Sequence, residues 1–469
     1  MAENQQKPVQ EDMALRDYGI RWSSNRLFVM AGAGAVIGLN NIWQFPYLVG
    51  EHGGGLFLLV YVLAVLVIGL PLMMTEFAVG RLGRGSPIQT VRALVDKTHG
   101  DPNWVVLGSI KTFAGFIVLS YLSVIAGWLL AYVVRSSLGM FQDLTADGMS
   151  AQFSGFVSDP EKQLFWHSLF VIMTTVVAAR GLQRGFEKAV RVLVPLLFVL
   201  LLALLAYTAN FNTIAQAATR IFAMDVEAFT WTSAMMAIGH AFFSLGLGYG
   251  VIMMYGTYIR EECDITRSSI MIILIDLAVA IIAAIIVYGL LIAGQQSISS
   301  GPTLVFQTLP LALDNLRFGY IVMPLLFVML VIIAWLSSIA LVEPAIVWLI
   351  ECHDTGRFNA AVIAGLGVWL LGLVTLLSFN VWSFEFSYFG INKYLGAFDI
   401  LQIMTSHYML PVSGLLLALY AGWSMEKTIS MEMLGLHHPL LYRMWYGSIR
   451  FVIPLLMLMI IFTVPRLFL

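Results

Sequence analysis

Asn40, Asn41, Ser244 and Asp276 are oxygen-bearing residues inside stretches otherwise apolar enough to cross a bilayer. A carboxylate at membrane depth is costly and functional by default, and a cation is a more natural partner for Asp276 than lipid. Amide, hydroxyl and carboxylate oxygens are what a hard cation selects. A protonated, purely structural aspartate is the competing reading. Two of the host stretches are also broken by glycine. Ala31–Pro46 reads AGAGAVIGLNNIWQFP, with Gly32, Gly34 and Gly38 ahead of the Asn40–Asn41 pair, and residues 242–250 read FFSLGLGYG. Glycine disfavours a helix interior by about 1 kcal/mol relative to alanine. In lipid, backbone groups freed by a break survive only where they line a protein cavity. Gly34 and Gly38 could alternatively form a helix-packing face. A nucleotide loop is excluded at Gly246, Gly248 and Gly250, which do not spell G-x-G-x-x-G and follow no strand.

The elements that must position these residues are membrane helices. The 469-residue chain is 59% hydrophobic and 11% charged, with a mean hydropathy of +0.87, whereas soluble domains carry about 25% charged residues. A span needs about 20 apolar residues. That length predicts eleven segments, near 27–50, 55–79, 112–135, 164–181, 188–209, 231–259, 268–293, 320–350, 360–379, 394–422 and 446–466. Residues 136–163 and 294–317 read as loops. With the N-terminus inside, all but six of the 25 Lys and Arg residues face the cytoplasm, the exceptions being Arg135, Lys162, Arg220, Arg317, Lys393 and Arg466. This places the N-terminus in the cytoplasm and the C-terminus outside. The polar start of the chain has no apolar core of a signal peptide, and Cys263 and Cys352 read as free thiols. A net charge of −2 gives no sign of nucleic acid. The two breaks lie five spans apart. An odd number of crossings makes the second set enter in the opposite sense, and interrupted helices at matching positions of inverted halves point to a transport site.

The chain resembles the neurotransmitter:sodium symporter family, bacterial members of which define the LeuT fold. The resemblance is densest in AGAGAVIGLNNIWQFPYLVGEHGGGLF, GLPLMMTEFAVGRLGRGSP, LSYLSVIAGW, FFSLGLGYGVIMMYGTYI and WLSSIALVEP. It implies an all-α polytopic membrane protein built as a 5+5 inverted repeat plus an eleventh transmembrane helix. The divisions are a cytoplasmic N-terminal segment 1–26, a first repeat 27–210, a second repeat 231–422, and the last helix at 446–466. It also implies a sodium-coupled carrier of an amino acid or related small zwitterion, working by alternating access. The short loops read as bacterial, which puts it in the inner (plasma) membrane.

Carried over by motif, the first sodium site falls on the Val36 carbonyl and the Asn41, Ser244 and Asp276 side chains. Asp276 replaces an asparagine of other members and implies that chloride is not required. A second sodium site would use the carbonyls of Gly34, Ile37 and Ile333 with the Ser337 hydroxyl. Leu336, however, stands where the family has threonine or serine, which implies weaker sodium binding there and one ion per cycle. The resemblance assigns the substrate's carboxylate to the amides of Leu39 and Asn40. Val118, Leu122, Phe243, Gly246, Tyr249, Ser338 and Leu341 line its pocket. Leu122 replaces a tyrosine whose hydroxyl binds the carboxylate in relatives. Tyr121 lies about 100° away around the helix and does not substitute.

At the outer gate Gln44 replaces the family's arginine, opposite Asp399, and His240 stands beside them. A hydrogen-bonded Gln44–His240–Asp399 gate, with a histidine free to titrate, is the expectation. The expected inner gate comprises Arg21, Tyr258 and Glu351. Glu76 matches a buried glutamate that accepts N–H bonds from the broken sixth helix. Leu122 and Gln44 leave room for a zwitterion or osmolyte that is not an α-amino acid, and a receptor with the transporter fold is the alternative from another class. An enzyme is not expected, since no H-E-x-x-H or paired catalytic spacing occurs.

Overall fold

The computed structural model describes residues 20–380, 382–388, 391–436 and 439–467. The chain before residue 20, including Lys7 and Arg16 of the charge distribution, lies outside the described residues. Among the described residues, nine helices are long and apolar enough to cross a membrane. They are Gly55–Gly83, Pro102–Ser137, Pro160–Ala179, Leu182–Ala209, Ile265–Ala293, Gly319–His353, Arg357–Ser378, Ala397–Ser424 and Pro439–Thr463. Asn25–Val36 and Asn40–Glu51 form one further crossing, bent by 55° at the expected break. The sixth segment is split into Trp231–Ser244 and Val251–Thr257, with residues 245–250 non-helical.

Helix starts follow local capping chemistry, in which a side-chain oxygen accepts an N–H that the first turn leaves free. Ser24 accepts from Leu27 N at 3.2 Å, and Asp264 from Arg267 N at 2.9 Å. Thr230 and Ser233 form a reciprocal box at the start of the sixth span. The third and eighth spans pack along one another at the centre of the bundle and are the most deeply buried crossings. Pro439–Thr463 sits at the periphery as the least buried one.

Three features depart from the sequence reading. The third span starts well before residue 112, so Lys111 is not a cytoplasmic surface charge: it is fully buried inside the helix. The 136–163 loop contains the helix Ala146–Val157, and the 294–317 loop contains the helical turns of residues 301–314. Ahead of the tenth span, Ser383–Tyr388 and Ile391–Gly396 pair as an antiparallel hairpin, Ser383 opposite Gly396.

The segment leading into the first span is strapped across the end of the bundle where the sixth span finishes. Trp22 is buried, its N–H donates to the Tyr258 carbonyl at 3.0 Å, and its indole Nε1 donates to the Tyr255 carbonyl at 3.2 Å. Ser23 N donates to Glu187 Oε1 at 2.7 Å, tying the same segment to the fifth span. The second span lies directly against the inner half of the sixth. A Cβ at Gly80 would run into the Met253 carbonyl, a backbone atom that cannot rotate away. Gly80→Val is therefore expected to destabilise the protein by about 1–3 kcal/mol through overpacking. Thermal unfolding of the purified protein checks this, and an unchanged melting temperature would mean that the two helices can separate.

Candidate functional site

The first break is built from Ile37 and Gly38. Ile37 leaves the helix with an extended backbone (φ −62°, ψ 103°), and Asn40 starts the next turn. Asn41 bridges the gap it helps to create. Its Oδ1 accepts from Gly38 N at 3.4 Å, and its Nδ2 donates to Asp276 Oδ1 at 2.8 Å. Both side chains are 1% exposed. Asp276 takes part in no ion pair with Lys, Arg or His among the described residues. A carboxylate so deeply buried needs a compensating positive charge to stay ionised, and the structure brings one neighbour of the expected ion site, the Asn41 amide, directly against it. A carbonyl, an amide, a hydroxyl and a carboxylate are oxygen donors that a hard monovalent cation selects, and Val36 O, Asn41, Ser244 and Asp276 are the residues that would hold it.

The second break depends on glycines with positive φ. Gly246, Gly248 and Gly250 adopt φ of +63°, +85° and +77°, a region that residues with a Cβ enter at a cost. Glu76 Oε1 accepts from Gly248 N at 3.0 Å, and Ser413 Oγ donates to the Gly248 carbonyl at 3.1 Å. The Ser244 and Tyr61 hydroxyls share a hydrogen bond of 3.1 Å. Tyr61 was not singled out from sequence, since a tyrosine in an apolar run carries no distinguishing signal. A Cβ at Gly246 would stand 3.8 Å from Val36 Cγ1, so the two breaks face each other.

The residues of the second sodium site are together but differently engaged. Ser337 Oγ donates to the Ile37 carbonyl at 3.4 Å. The Leu336 side chain packs on the Gly34 face, 3.3 Å from where a Cβ would sit. Ile333 is buried alongside. An isobutyl group thus fills the position where an oxygen ligand was sought.

Around the expected pocket, Gly115 brings the third span against the Tyr249 carbonyl, with Leu341 beside it. Val118 and Leu341 are buried, and Leu122, Phe243 and Tyr249 are half-buried. Ser338 is 0% exposed, and its Oγ has no hydrogen-bond partner among the described residues. Tyr121 points elsewhere: its hydroxyl pairs with Thr405 Oγ1 at 3.4 Å and its ring meets Phe398 edge-on. It does not replace the hydroxyl missing at Leu122. Leu39 and Asn40 N–H make no hydrogen bond among the described residues, whereas the Asn40 side chain accepts from Trp43 Nε1 at 2.9 Å.

Both expected gates are corrected by the structure. No hydrogen bond joins Gln44, His240 and Asp399 among the described residues. The His240 ring stacks on Phe45 at 5.8 Å and lies 5.6 Å from Tyr61, and aromatic packing has replaced the polar chain. Asp399 caps its own helix, accepting from Gly396 N at 2.8 Å. On the inner side, Glu351 accepts from Ser86 N at 2.9 Å instead of pairing with Arg21. The partner of Tyr258 is Glu343, whose Oε1 accepts from the tyrosine hydroxyl at 2.7 Å. Arg357 holds that carboxylate with two N–H groups, at 2.6 and 3.0 Å, and donates Nε–H to the Ala178 carbonyl at 3.0 Å. Bidentate pairing gives the carboxylate one fixed orientation. The signal for it was Glu343 itself, a charge before Pro344 inside an apolar span. Arg357→Met is expected to destabilise the protein by about 3 kcal/mol, because it strands a buried charge, while Glu351→Gln costs less. Thermal unfolding of the two variants side by side tests the corrected pairing, and equal losses would count against it.

The chain has relatives among membrane transporters in both sequence and structure. A crystallised transporter, MhsT in complex with L-phenylalanine, superposes with a TM-score of 0.84 at 33% identity, covering 94% of this chain and 98% of that one. An uncharacterised sodium-dependent transporter of Bacillus subtilis, YhdH, is 30% identical over 97% of this chain and 98% of its own length. The sodium-dependent neutral amino acid transporter B(0)AT2 of Pongo abelii is 23% identical over 62% of this chain and 43% of its own length. The fold is the LeuT fold, all-helical across the membrane, and the relatives are transporters rather than enzymes. With its family model matched over residues 20–145 and 156–468, the chain belongs to the Sodium:neurotransmitter symporter family.

Proposed function

We propose that this protein imports a neutral amino acid together with sodium, by alternating access around the two helix breaks. The observation that carries this reading is the Asn41–Asp276 pair. It joins the first break to the seventh span and leaves a buried carboxylate without a basic side chain. Sodium bound by Val36 O, Asn41, Ser244 and Asp276 would tie both breaks together and preform the substrate cradle. The free N–H groups of Leu39 and Asn40, at the positive end of the following helix, then receive the substrate carboxylate. Val118, Leu122, Phe243, Gly246, Tyr249 and Leu341 enclose an apolar side chain, and the unpartnered Ser338 hydroxyl supplies a polar contact.

L-Phenylalanine, the ligand of the structural neighbour, is the first probe. In proteoliposomes with an inward sodium gradient, uptake above the sodium-free control is the expected result. Binding without accumulation would instead indicate a receptor. Leu122 supports one further reading, a zwitterion that is not an α-amino acid; competition by betaine-type osmolytes but not by amino acids would favour it. Cytoplasmic placement of the N-terminus, in the plasma membrane, rests on the Lys and Arg distribution.

The coupling stoichiometry follows from Leu336. With the Leu336 side chain on Gly34 and Ser337 bonded to Ile37 O, the second site is short of one oxygen ligand, and one sodium per cycle is proposed. The sodium dependence of uptake is expected to give a Hill coefficient near one, and Leu336→Thr to raise it. A wild-type coefficient near two would refute single-ion coupling. Asp276 supplies fixed negative charge beside the ion, so uptake is expected to be unchanged when gluconate replaces chloride. A fall to background on that replacement would show that the carboxylate does not substitute for the anion.

A further inference from the structure

A buried ion pair stands beside the second break, and the transport reading above assigns it no role. Lys111 Nζ lies 2.6 Å from Glu76 Oε1, with the two side chains 0% and 1% exposed. The same oxygen accepts the Gly248 N–H, and Ser413 holds the Gly248 carbonyl from the other side. Glu76 Oε2 has no partner among the described residues. The carboxylate therefore has two contacts, the ammonium and the broken helix, and both fall on one oxygen.

The register of the third span gives this pair a route to the site. Residues 111, 115, 118 and 122 repeat at helical spacing along one face. Gly115 packs under the Tyr249 carbonyl, and Val118 and Leu122 are pocket residues. A Cβ at Gly250 would stand 3.3 Å from the Lys111 carbonyl. Backbone and side chain of Lys111 thus both bear on residues 248–250. Four residues before Gly248 is Ser244, and one after it is Tyr249.

Removing one partner alone leaves the other as an uncompensated buried charge, whereas replacing both by neutral groups is far less costly. The ion pair also fixes the oxygen that accepts Gly248 N–H, and such a charge-assisted bond is about twice as strong as a neutral one.

Building on the sodium reading above, we propose that Lys111 is a positioning residue for the ion site. Its ammonium anchors the Glu76 carboxylate, the carboxylate fixes the Gly248 amide, and the fixed turn presents Ser244 to the first break and Tyr249 to the pocket. Lys111 touches neither ion nor substrate. Its charge sets how well the sixth span is organised to meet them.

The test compares four full-length purified proteins: wild type, Lys111→Met, Glu76→Gln, and the double variant. The readout is the sodium concentration at half-maximal rise in melting temperature, with potassium keeping ionic strength constant. Stabilisation grows with ligand concentration over Kd, so a weaker site moves the midpoint up. Lys111→Met is expected to raise it at least about tenfold, because Glu76 is left unpaired. Glu76→Gln added to it should bring the midpoint most of the way back, since a neutral amide oxygen accepts the Gly248 N–H without needing an ammonium. A lysine that served only to fill space would give losses that add. A wild-type midpoint in Lys111→Met, or a double variant worse than that single one, overturns the proposal. If the wild type gave no sodium response, the sodium reading would fall separately. Sodium-free melting of the same four proteins would then decide the pairing, by restoration or further loss in the double variant.

Discussion

Backbone polar groups inside a bilayer have no water to turn to, and this constraint organises the whole molecule. Two of its crossings give up helical hydrogen bonds at their breaks, and side chains of the bundle take up part of what is freed. Asn41 serves the first break by bending back onto Gly38 and reaching across to Asp276. Glu76 and Ser413 serve the second by taking the N–H and the carbonyl of Gly248. Side chains that elsewhere would be solvated are thus drawn to the centre of the membrane. They converge where sodium and substrate are proposed to bind.

The breaks are held in different ways. The first is fixed locally, by one hydrogen bond to Asp276 of the seventh span and by one from Ser337 of the eighth to the Ile37 carbonyl. The second is clasped between the second, third and tenth spans through Glu76, Lys111 and Ser413. At the inner end, Trp22 binds the carbonyls of Tyr255 and Tyr258, while the Tyr258 hydroxyl reaches Glu343 and through it Arg357. The N-terminal strap, the end of the sixth span and the eighth span are therefore linked by a short polar chain. On the proposed orientation, opening toward the cytoplasm would separate that chain at the tyrosine. The Arg357–Glu343 bond is bidentate and charged, so the neutral hydroxyl donor is its weaker link.

Much of this was legible from residue types. Asn41, Asp276 and the glycines of residues 246–250 stand out because helix-breaking and polar residues are conspicuous in an apolar run. The same contrast misled at Lys111. A hydropathy window ends a span at the first charge, and only the buried carboxylate 35 residues earlier shows that this charge belongs inside. Arg357 was hidden for a related reason, since a cation just past a helix end reads as a membrane-surface residue. The hairpin at 383–396 did have a signal in the alternation Ser-Phe-Glu-Phe-Ser-Tyr, overlooked because loops between spans were read only for turn residues. The outer gate failed differently. Gln44, His240 and Asp399 were placed by analogy with a salt bridge, but removal of the arginine also removed the reason for a polar chain. His240 was then free to pack on Phe45 and Tyr61.

The Leu336 and Leu122 substitutions bear on one question, namely how tightly transport is tied to each partner. On the proposed single-ion reading, Leu336 leaves the conformational change to be driven by fewer bound charges. A ligand shifts an equilibrium only by its differential affinity for the two states. With one ion fewer, more of that difference has to come from the substrate and from contacts already present in the protein. Leu122 weakens the substrate's share by deleting a hydroxyl donor. What remains is internal: the Glu76–Lys111 and Glu343–Arg357 pairs, each holding one end of the sixth span's inner segment to its neighbours. Carrying ion pairs inside the membrane is costly, and with fewer exchangeable partners the conformational cycle is expected to lean on them.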